Sequence, residues 1–303
     1  MDQQLERYRQ AGIRAVQFQL QFQQPDGSFI WDQSIRDAYH KQCYSWGSAG
    51  FIAPAHRLIN WICGHSLRAD GDLEGYRGDV YKLAWLLQGA HRLGRFDLSL
   101  RLWSWLRRQQ APGGGFAHFA GEEVLRSLSS AWAGVAAVYL GDLQVAQAVA
   151  QWCISLYQQQ PSDTCFYYQT DLQGQLLSGA HDPAVDYARP GQPYWEIGLP
   201  MLLMGRLYQA TGEATWLQWA ERFFELHLRC AEDRFCSTSS GKSSFAAAVH
   251  YLNTGDLRAR DAALTFADYL LDTQLPQGSW RGPSMPDEPL YHIDAAAELN
   301  VWL

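Results

Sequence analysis

QQPDGSF, at residues 23–29, is the first of three copies of one heptad in this chain of 303 residues. The other copies are QAPGGGF at residues 110–116 and QLPQGSW at residues 274–280. All three follow the pattern Q-x-x-x-G-x-[FW], and each comes directly after an amphipathic helical stretch. Two further stretches, which end at Phe166 and Phe235, look like degenerate copies. Internal repeats at this period predict an array of similar supersecondary units.

The composition of the heptad predicts a turn that joins one helix to the next. A helix usually ends at or before the residue that precedes a proline. The glycine allows the unusual backbone torsion that such a turn needs. The aromatic side chain can pack back as an anchor, and the glutamine amide can bond exposed backbone groups at a helix terminus.

The rest of the sequence reads as helices in antiparallel pairs. Glycine at the end of one helix and Asp or Glu near the start of the next separate the paired segments. The predicted helices are Leu5–Gln23, Tyr44–Gly64 (interrupted by Pro54), Val80–Leu93, Leu98–Gln109, Val124–Leu140, Leu143–Gln159, Trp195–Ala210, Trp216–Leu228, Ser244–Asn253, Leu257–Thr273 and His292–Leu303.

The pairing of these helices predicts an all-α fold. We expect the first and last helices to contact each other, which gives six hairpins in an α/α toroid, or six-hairpin α/α barrel. A single domain would span residues 1–303. Residues 167–193 carry few helix signals, so we expect a long loop or lid insertion there. A small β-hairpin is expected within it, turning at residues 171–174.

The composition limits the partners and the compartment. The net charge is −7 and no basic cluster is present, which argues against a nucleic-acid partner. No apolar run approaches roughly 18 residues, so no membrane insertion is expected. The polar start lacks the features of a signal peptide, which favours a cytoplasmic protein. The six cysteines lack C-x-x-C spacing and are expected to be free thiols.

The heptad also has the pattern of the QW motif, and over nearly its whole length the chain resembles the terpenoid cyclase and protein prenyltransferase superfamily. That resemblance implies a toroid whose inner helices surround a central cavity. The chain departs from the family in lacking the D-x-D-D motif of class II cyclases. The fragment Asp70-Gly71-Asp72 is better interpreted as a turn, since glycines flank it.

The same resemblance bears on metals. Prenyltransferase β-subunits hold zinc through a D-x-C pair and a histidine that follows a tyrosine. Tyr291-His292 resembles the latter, but Asp233 and Cys236 have D-x-x-C spacing. We therefore predict no bound metal and no cofactor.

The candidate site residues lie at the starts of the predicted inner helices. The heptad turns precede these helices, so their N-termini should face the open mouth of the ring. The proton-transfer candidates are Glu196, Asp79, His292 and Asp294. The candidates for substrate binding are Trp46, Tyr76, Glu122, Arg126, Tyr194, Trp195, Lys242 and Glu298.

Glu196 is the preferred acid. It lies between Tyr194-Trp195 and an apolar run, and desolvation there should raise its pKa toward use as a general acid. Arg126 and Lys242 oppose the helix dipole, so each needs a carboxylate partner or an anionic substrate. Lys242 is expected across the mouth from Glu196.

Each acid also has a structural interpretation. An acid in the first turn of a helix commonly compensates the dipole. Asp294 and Glu298 are four residues apart on one helix face and could have a structural role in salt bridges.

Together these features predict a metal-independent enzyme with a small-molecule substrate. It would carry out an acid–base intramolecular cyclisation or isomerisation of an aromatic or terpenoid-like metabolite. Two alternatives stay open. The same ring serves carbohydrate-active hydrolases, lyases and epimerases, and sugar cleavage would need a placed carboxylate pair. A non-catalytic binding toroid is the other. The oligomeric state is left open.

Overall fold

The computed structural model describes residues 2–29, 39–282 and 286–303. The predicted, mainly helical class is confirmed. The helices are α1 (Asp2–Leu20), α2 (Gln42–Ser48), α3 (Ile52–His65), α4 (Val80–Arg92), α5 (Phe96–Leu106), α6 (Ser127–Leu140), α7 (Leu143–Gln158), α8 (Trp195–Thr211), α9 (Ala214–Leu228), α10 (Gly241–Thr254), α11 (Leu257–Thr273) and α12 (Pro289–Trp302). The short strands are β1 (Val124–Arg126), β2 (Cys165–Tyr167), β3 (Gln169–Asp171) and β4 (Ala184–Asp186).

The chain divides into two compact units. The first comprises Met1–Leu106 and Ala267–Leu303, and the second comprises Arg107–Phe266. In the first unit α1 packs against α12, which confirms the predicted contact between the first and last helices. In the second unit α8 packs against α6, α7, α9 and α10. The single domain over residues 1–303 stays a prediction.

The heptad turns share one hydrogen-bond pattern. The Nε2 of Gln23, Gln110 and Gln274 donates to the carbonyl of the glycine four residues later, at 3.3, 2.8 and 2.9 Å. Each amide also donates to a backbone carbonyl of another helix, such as Pro54 at 3.0 Å for Gln23. The closing aromatics are buried. The glutamine therefore joins its turn to the adjoining helix.

The glycines in these turns are required for two reasons. Gly278 has φ +100°, and a Cβ added there would lie 2.6 Å from the carbonyl oxygen of Arg14.

Two further turns, at Gly71 and Gly174, have the same geometry, with bridges Leu67–Leu73 and Thr170–Leu176 in place of Gln23–Phe29. Neither turn matches the heptad pattern, because Leu67 and Thr170 replace the glutamine and leucine replaces the aromatic residue. The interpretation of Asp70-Gly71-Asp72 as a turn is confirmed.

Several predicted helix bounds differ from the structure; α1 ends at Leu20 rather than Gln23, and the predicted helix Val124–Leu140 begins too early. Residues 124–126 are not helical, because they pair antiparallel with β3, and α6 begins only at Ser127. The turn at residues 171–174 is confirmed, since the Asp171 carboxylate accepts the N–H groups of Gln173 and Gln175 at 2.9 Å. β4 pairs with β2, so the predicted lid segment is fixed at two points within the second unit.

Two further findings concern the whole described chain. All six cysteines are free thiols. Among the described residues, no helix combines the length and the apolar character that crossing a membrane requires.

Candidate functional site

Glu196, in the first turn of α8, is the most enclosed acid of the second unit, with a relative exposure of 0%. Its Oε1 accepts hydrogen bonds from Arg126 Nε at 2.8 Å and from Trp195 Nε1 at 3.1 Å, and Arg126 Nη2 lies 2.7 Å from the same oxygen in an ion pair. Its Oε2 accepts the backbone N–H of Leu128 at 2.8 Å. Both carboxyl oxygens are thus bonded by donors.

The starts of three helices are joined around Glu196. Ser127 Oγ donates to the carbonyl of Glu196 at 2.6 Å, and Ser243 Oγ donates to the carbonyl of Tyr194 at 2.9 Å. A Cβ on Gly198 would lie 2.5 Å from the Cα of Ser243, so only glycine allows α8 and α10 to approach this closely. The N–H of Leu128 is one of the first-turn donors that a helix leaves unsatisfied.

Glu196 and Arg126 each shift the pKa of the other. Burial raises the pKa of Glu196, while Arg126 and the hydrogen bonds to the carboxylate lower it. The effect of burial is larger, so the pKa is raised. For Arg126, burial lowers the pKa, but the Glu196 carboxylate outweighs it and the pKa is raised. Since every contact to Glu196 is a donor, the resting pair is the carboxylate with the guanidinium. The raised pKa nevertheless leaves Glu196 easier to protonate than an ordinary glutamate.

Lys242 lies beside this cluster rather than across from it, which corrects the expectation that it opposes Glu196. Its Nζ is 5.5 Å from the centroid of the Trp195 ring, and Trp195 itself bonds Glu196. The guanidinium of Arg126 lies 5.4 Å from the ring centroid of Tyr168. Each of the two cations at helix starts thus lies near an aromatic ring, Trp195 for Lys242 and Tyr168 for Arg126. Sequence reasoning missed Tyr168, which lies between β2 and β3 and carries no motif signal.

Two other predicted residues of the second unit have local partners. The hydroxyl of Tyr194 hydrogen-bonds the carboxylate of Asp233, which also accepts the N–H of Gly191 at 2.7 Å. Burial, followed by this bond to Asp233, raises the pKa of Tyr194. Glu122 accepts the N–H of Phe119 at 3.0 Å at an exposed position. Tyr194 thus ties the start of α8 to the segment around Asp233.

In the first unit, Asp294 and Glu298 share one buried cation. Lys41 Nζ lies 2.8 Å from the Asp294 carboxylate and 2.6 Å from Glu298 Oε2. Burial lowers the pKa of Lys41, but the two carboxylates outweigh it and raise the pKa well above its ordinary value. This geometry matches the structural salt-bridge interpretation of the acid pair. No sequence pattern pointed to Lys41.

The remaining candidates of the first unit are also bonded. His292 Nδ1 lies 3.0 Å from Ser279 Oγ, and His292 Nε2 lies 2.8 Å from Asp287 Oδ1. The Asp79 carboxylate accepts the N–H of Lys82 at 3.0 Å and so caps α4. Trp46 is fully buried and donates from Nε1 to Gln19 Oε1 at 3.0 Å, while the Tyr76 ring lies 6.1 Å from that of His40. The catalytic and binding roles expected for these residues stay predictions.

One group of potential metal ligands occurs among the described residues. Glu221, His250 and Asp256 place one ligand atom each within 4.8 Å of one another. His250 Nε2 lies 2.6 Å from Glu221, and Arg258 bonds Glu221 at 3.1 Å and Asp256 at 2.7 Å. The guanidinium already supplies positive charge at this position. That the protein binds no metal and no cofactor stays a prediction.

Comparison with known proteins gives the fold. No protein-family model matches the sequence, and no curated protein matches it. The α-1,6-mannanase GH76A from Salegentibacter sp. HEL1_6 superposes with a TM-score of 0.67 and 14% identity, over 97% of this chain and 98% of that chain. A variant of the type II terpene cyclase MstE from Scytonema, bound to the product merosterolic acid A, gives 0.65 and 16%, over 100% and 98%. A D-mannose isomerase gives 0.64 and 13%, over 96% of each chain.

These likenesses confirm the predicted α/α toroid. They also confirm that the chain resembles the terpenoid cyclases in fold. These three structures are enzymes that differ in reaction and substrate, so the fold leaves the activity of this chain open.

Proposed function

We propose that this chain is an enzyme that isomerises or cyclises an anionic small molecule by proton transfer. Glu196 would be the proton-transfer residue, and Arg126 and Lys242 would bind the anionic group. The observation that carries the proposal is the buried Glu196, whose pKa is raised and whose countercharge, Arg126, keeps 28% of its side chain exposed.

Substrate binding would prepare the acid. A guanidinium has five N–H donors, and Glu196 Oε1 contacts only two nitrogens of Arg126, Nε and Nη2. An anionic group that bonds the remaining donors competes with Glu196 for the positive charge. The carboxylate then loses stabilisation, and burial favours its protonated form. Glu196 takes up a proton as the substrate binds.

The proton balance is that of an isomerisation. Protonated Glu196 donates to an unsaturated carbon of the substrate, and the cationic intermediate later returns a proton to the carboxylate. The product then has the same atoms as the substrate. The half-buried ring of Trp195 can stabilise positive charge that develops near it. Lys242, next to that ring, would hold the anionic end of the substrate.

The similar structures include both rearranging enzymes and a glycoside hydrolase, and one sequence feature supports rearrangement for this chain. The cyclase MstE has been captured with the substrate geranylgeranyl dihydroxybenzoate, and another similar structure is an isomerase. The inactive variant of the mannanase carries substitutions at two consecutive aspartates. This sequence has no Asp-Asp pair. A mannanase-like cleavage site would therefore lack that feature.

The test uses geranylgeranyl dihydroxybenzoate and D-mannose as separate probes. We expect a product of unchanged mass from the first, separated by chromatography and identified by NMR. Glu196→Gln keeps the hydrogen-bonding shape but cannot donate a carboxyl proton, so turnover should fall by roughly 10²–10⁴. Lys242→Ala should mainly raise KM. Glu123→Gln, an exposed acid in the same loop as Glu122, is the control and should behave as the parent does.

The pH profile gives a second readout. Only protonated Glu196 can donate, so the rate should fall as pH rises through its raised pKa, and Glu196→Gln should lack this flank. A Glu196→Gln enzyme as active as the parent would overturn the assignment. Conversion of D-mannose alone would favour the carbohydrate-active alternative.

A further inference from the structure

A groove of about 330 Å³ lies in the second unit. Its walls are the second heptad turn, helix α7 and the turn at residues 173–175. Its volume is in the range typical of small-molecule pockets, about 300–1,000 Å³. The site proposed around Glu196 uses none of its residues.

The groove is held open by backbone geometry. The N–H of Gly113 donates to the carbonyl of Leu172 at 2.9 Å, which joins the two turns. Gly114 has φ +96°, and a Cβ there would lie 2.8 Å from the carbonyl oxygen of Ala148. Gly174 has φ +86°. The walls therefore carry no side chains at these points, and the space is preformed.

The side chains at the groove are amides. Gln151, Gln173 and Gln175 line it and are exposed, and their side-chain amides form no hydrogen bond within the described part of the chain. Each amide offers two N–H donors and one carbonyl acceptor. No charged side chain is among the lining residues. The floor is Trp152, which is fixed because its Nε1 donates to Thr170 Oγ1 at 3.0 Å.

This chemistry fits a neutral ligand that both donates and accepts hydrogen bonds. An anion or a cation would find no countercharge in the groove, and an apolar ligand would leave the amides without partners. Sugar hydroxyls both donate and accept, as the amides do. We infer that the groove is a saccharide-binding site, separate from the site around Glu196 and independent of the reaction proposed there.

The experiment is a binding titration of the whole chain with mannotriose, maltotriose and cellotriose, followed by saturation-transfer NMR. At least one trisaccharide should bind. The triple variant Gln151→Ala, Gln173→Ala, Gln175→Ala should weaken binding by about tenfold or more, since it removes several hydrogen bonds. Ala148→Trp, which fills the groove from α7, should abolish binding. Gln144→Ala, an exposed glutamine of α7 outside the groove lining, is the matched control and should bind as the parent does.

Binding at the groove can be distinguished from binding at the site around Glu196. Glu196→Gln should bind the saccharide with unchanged affinity. The inference is overturned if no trisaccharide binds, or if a folded Ala148→Trp variant or the triple variant binds as tightly as the parent. Binding that is lost in Glu196→Gln and retained in the groove variants would place the saccharide at the other site and also overturn it. So would capture of peptides from a casein digest without any saccharide.

Discussion

Arg126 contacts a single oxygen of Glu196, Oε1, through a hydrogen bond from Nε at 2.8 Å and an ion pair from Nη2 at 2.7 Å. This pair joins the starts of α6 and α8, and the other oxygen of Glu196 is bonded by the N–H of Leu128. The carboxylate is fully buried, whereas the guanidinium is only partly buried. Removal of Arg126 and removal of Glu196 should therefore change the stability of the fold by different amounts.

Arg126→Met should destabilise the fold by about 3–5 kcal/mol at neutral pH, because it leaves a buried carboxylate without a countercharge. The loss should shrink at lower pH, where Glu196 can take up a proton. Adding Glu196→Gln should recover part of it. Urea denaturation of the single and double variants measures the free energy of unfolding and so both the loss and its recovery. Arg189→Met, at an exposed ion pair with Asp186, is the control and should change stability little. A change under about 1 kcal/mol in Arg126→Met would contradict a structural role for the pair.

His227 should make stability depend on pH. Burial lowers its pKa from 6.5 to about 4, and the ring lies 3.2 Å from the carbonyl of Arg234. Between these values the unfolded chain binds a proton that the folded chain does not, so stability is lost as pH falls. The contribution over this window is about 3 kcal/mol.

Denaturation midpoints between pH 7 and pH 4 measure the effect of His227. His227→Gln should flatten the slope, whereas the exposed His181→Gln should leave it as in the parent. An equal slope in His227→Gln and the parent would show that other groups cause the acid sensitivity.

Lys41→Met should destabilise the first unit strongly, because it leaves Asp294 and Glu298 in a mostly buried place without their cation. We expect a loss of about 3 kcal/mol or more in the free energy of unfolding. Combining it with Asp294→Asn and Glu298→Gln should restore much of the loss, since no charge is then left unpaired. If the triple variant is no more stable than Lys41→Met, packing of the lysine rather than its charge is what matters.

Two glycines with positive φ give a matched comparison. Gly255→Ala, at φ +76° with no atom within 4 Å, should cost about 1 kcal/mol for the left-handed backbone. Gly278→Ala, at φ +100°, adds a contact of 2.6 Å with the carbonyl of Arg14. It should cost at least about 3 kcal/mol, since strain and overpacking add. Thermal unfolding of both variants checks the order, and equal losses would show that the heptad turn can shift to accept a side chain.

Features that depend on neighbouring residues could be predicted from the amino-acid sequence alone. Helical periodicity gave most helix bounds, and proline and glycine gave the heptad turns, because backbone torsions are set within a few residues. The head-to-tail contact of α1 and α12 followed from counting hairpins. Arg126 was identified because a cation at a helix start opposes the dipole, which required a partner.

The contacts between side chains that lie far apart in the sequence became known only from the three-dimensional structure. Lys41 contacts Asp294 across 253 positions, and Lys242 lies beside Trp195 rather than opposite Glu196. Residues 124–126 form a strand because β3 pairs with them, which overrides a helical pattern. These contacts depend on how helices and strands pack, and packing brings together residues that no local periodicity relates.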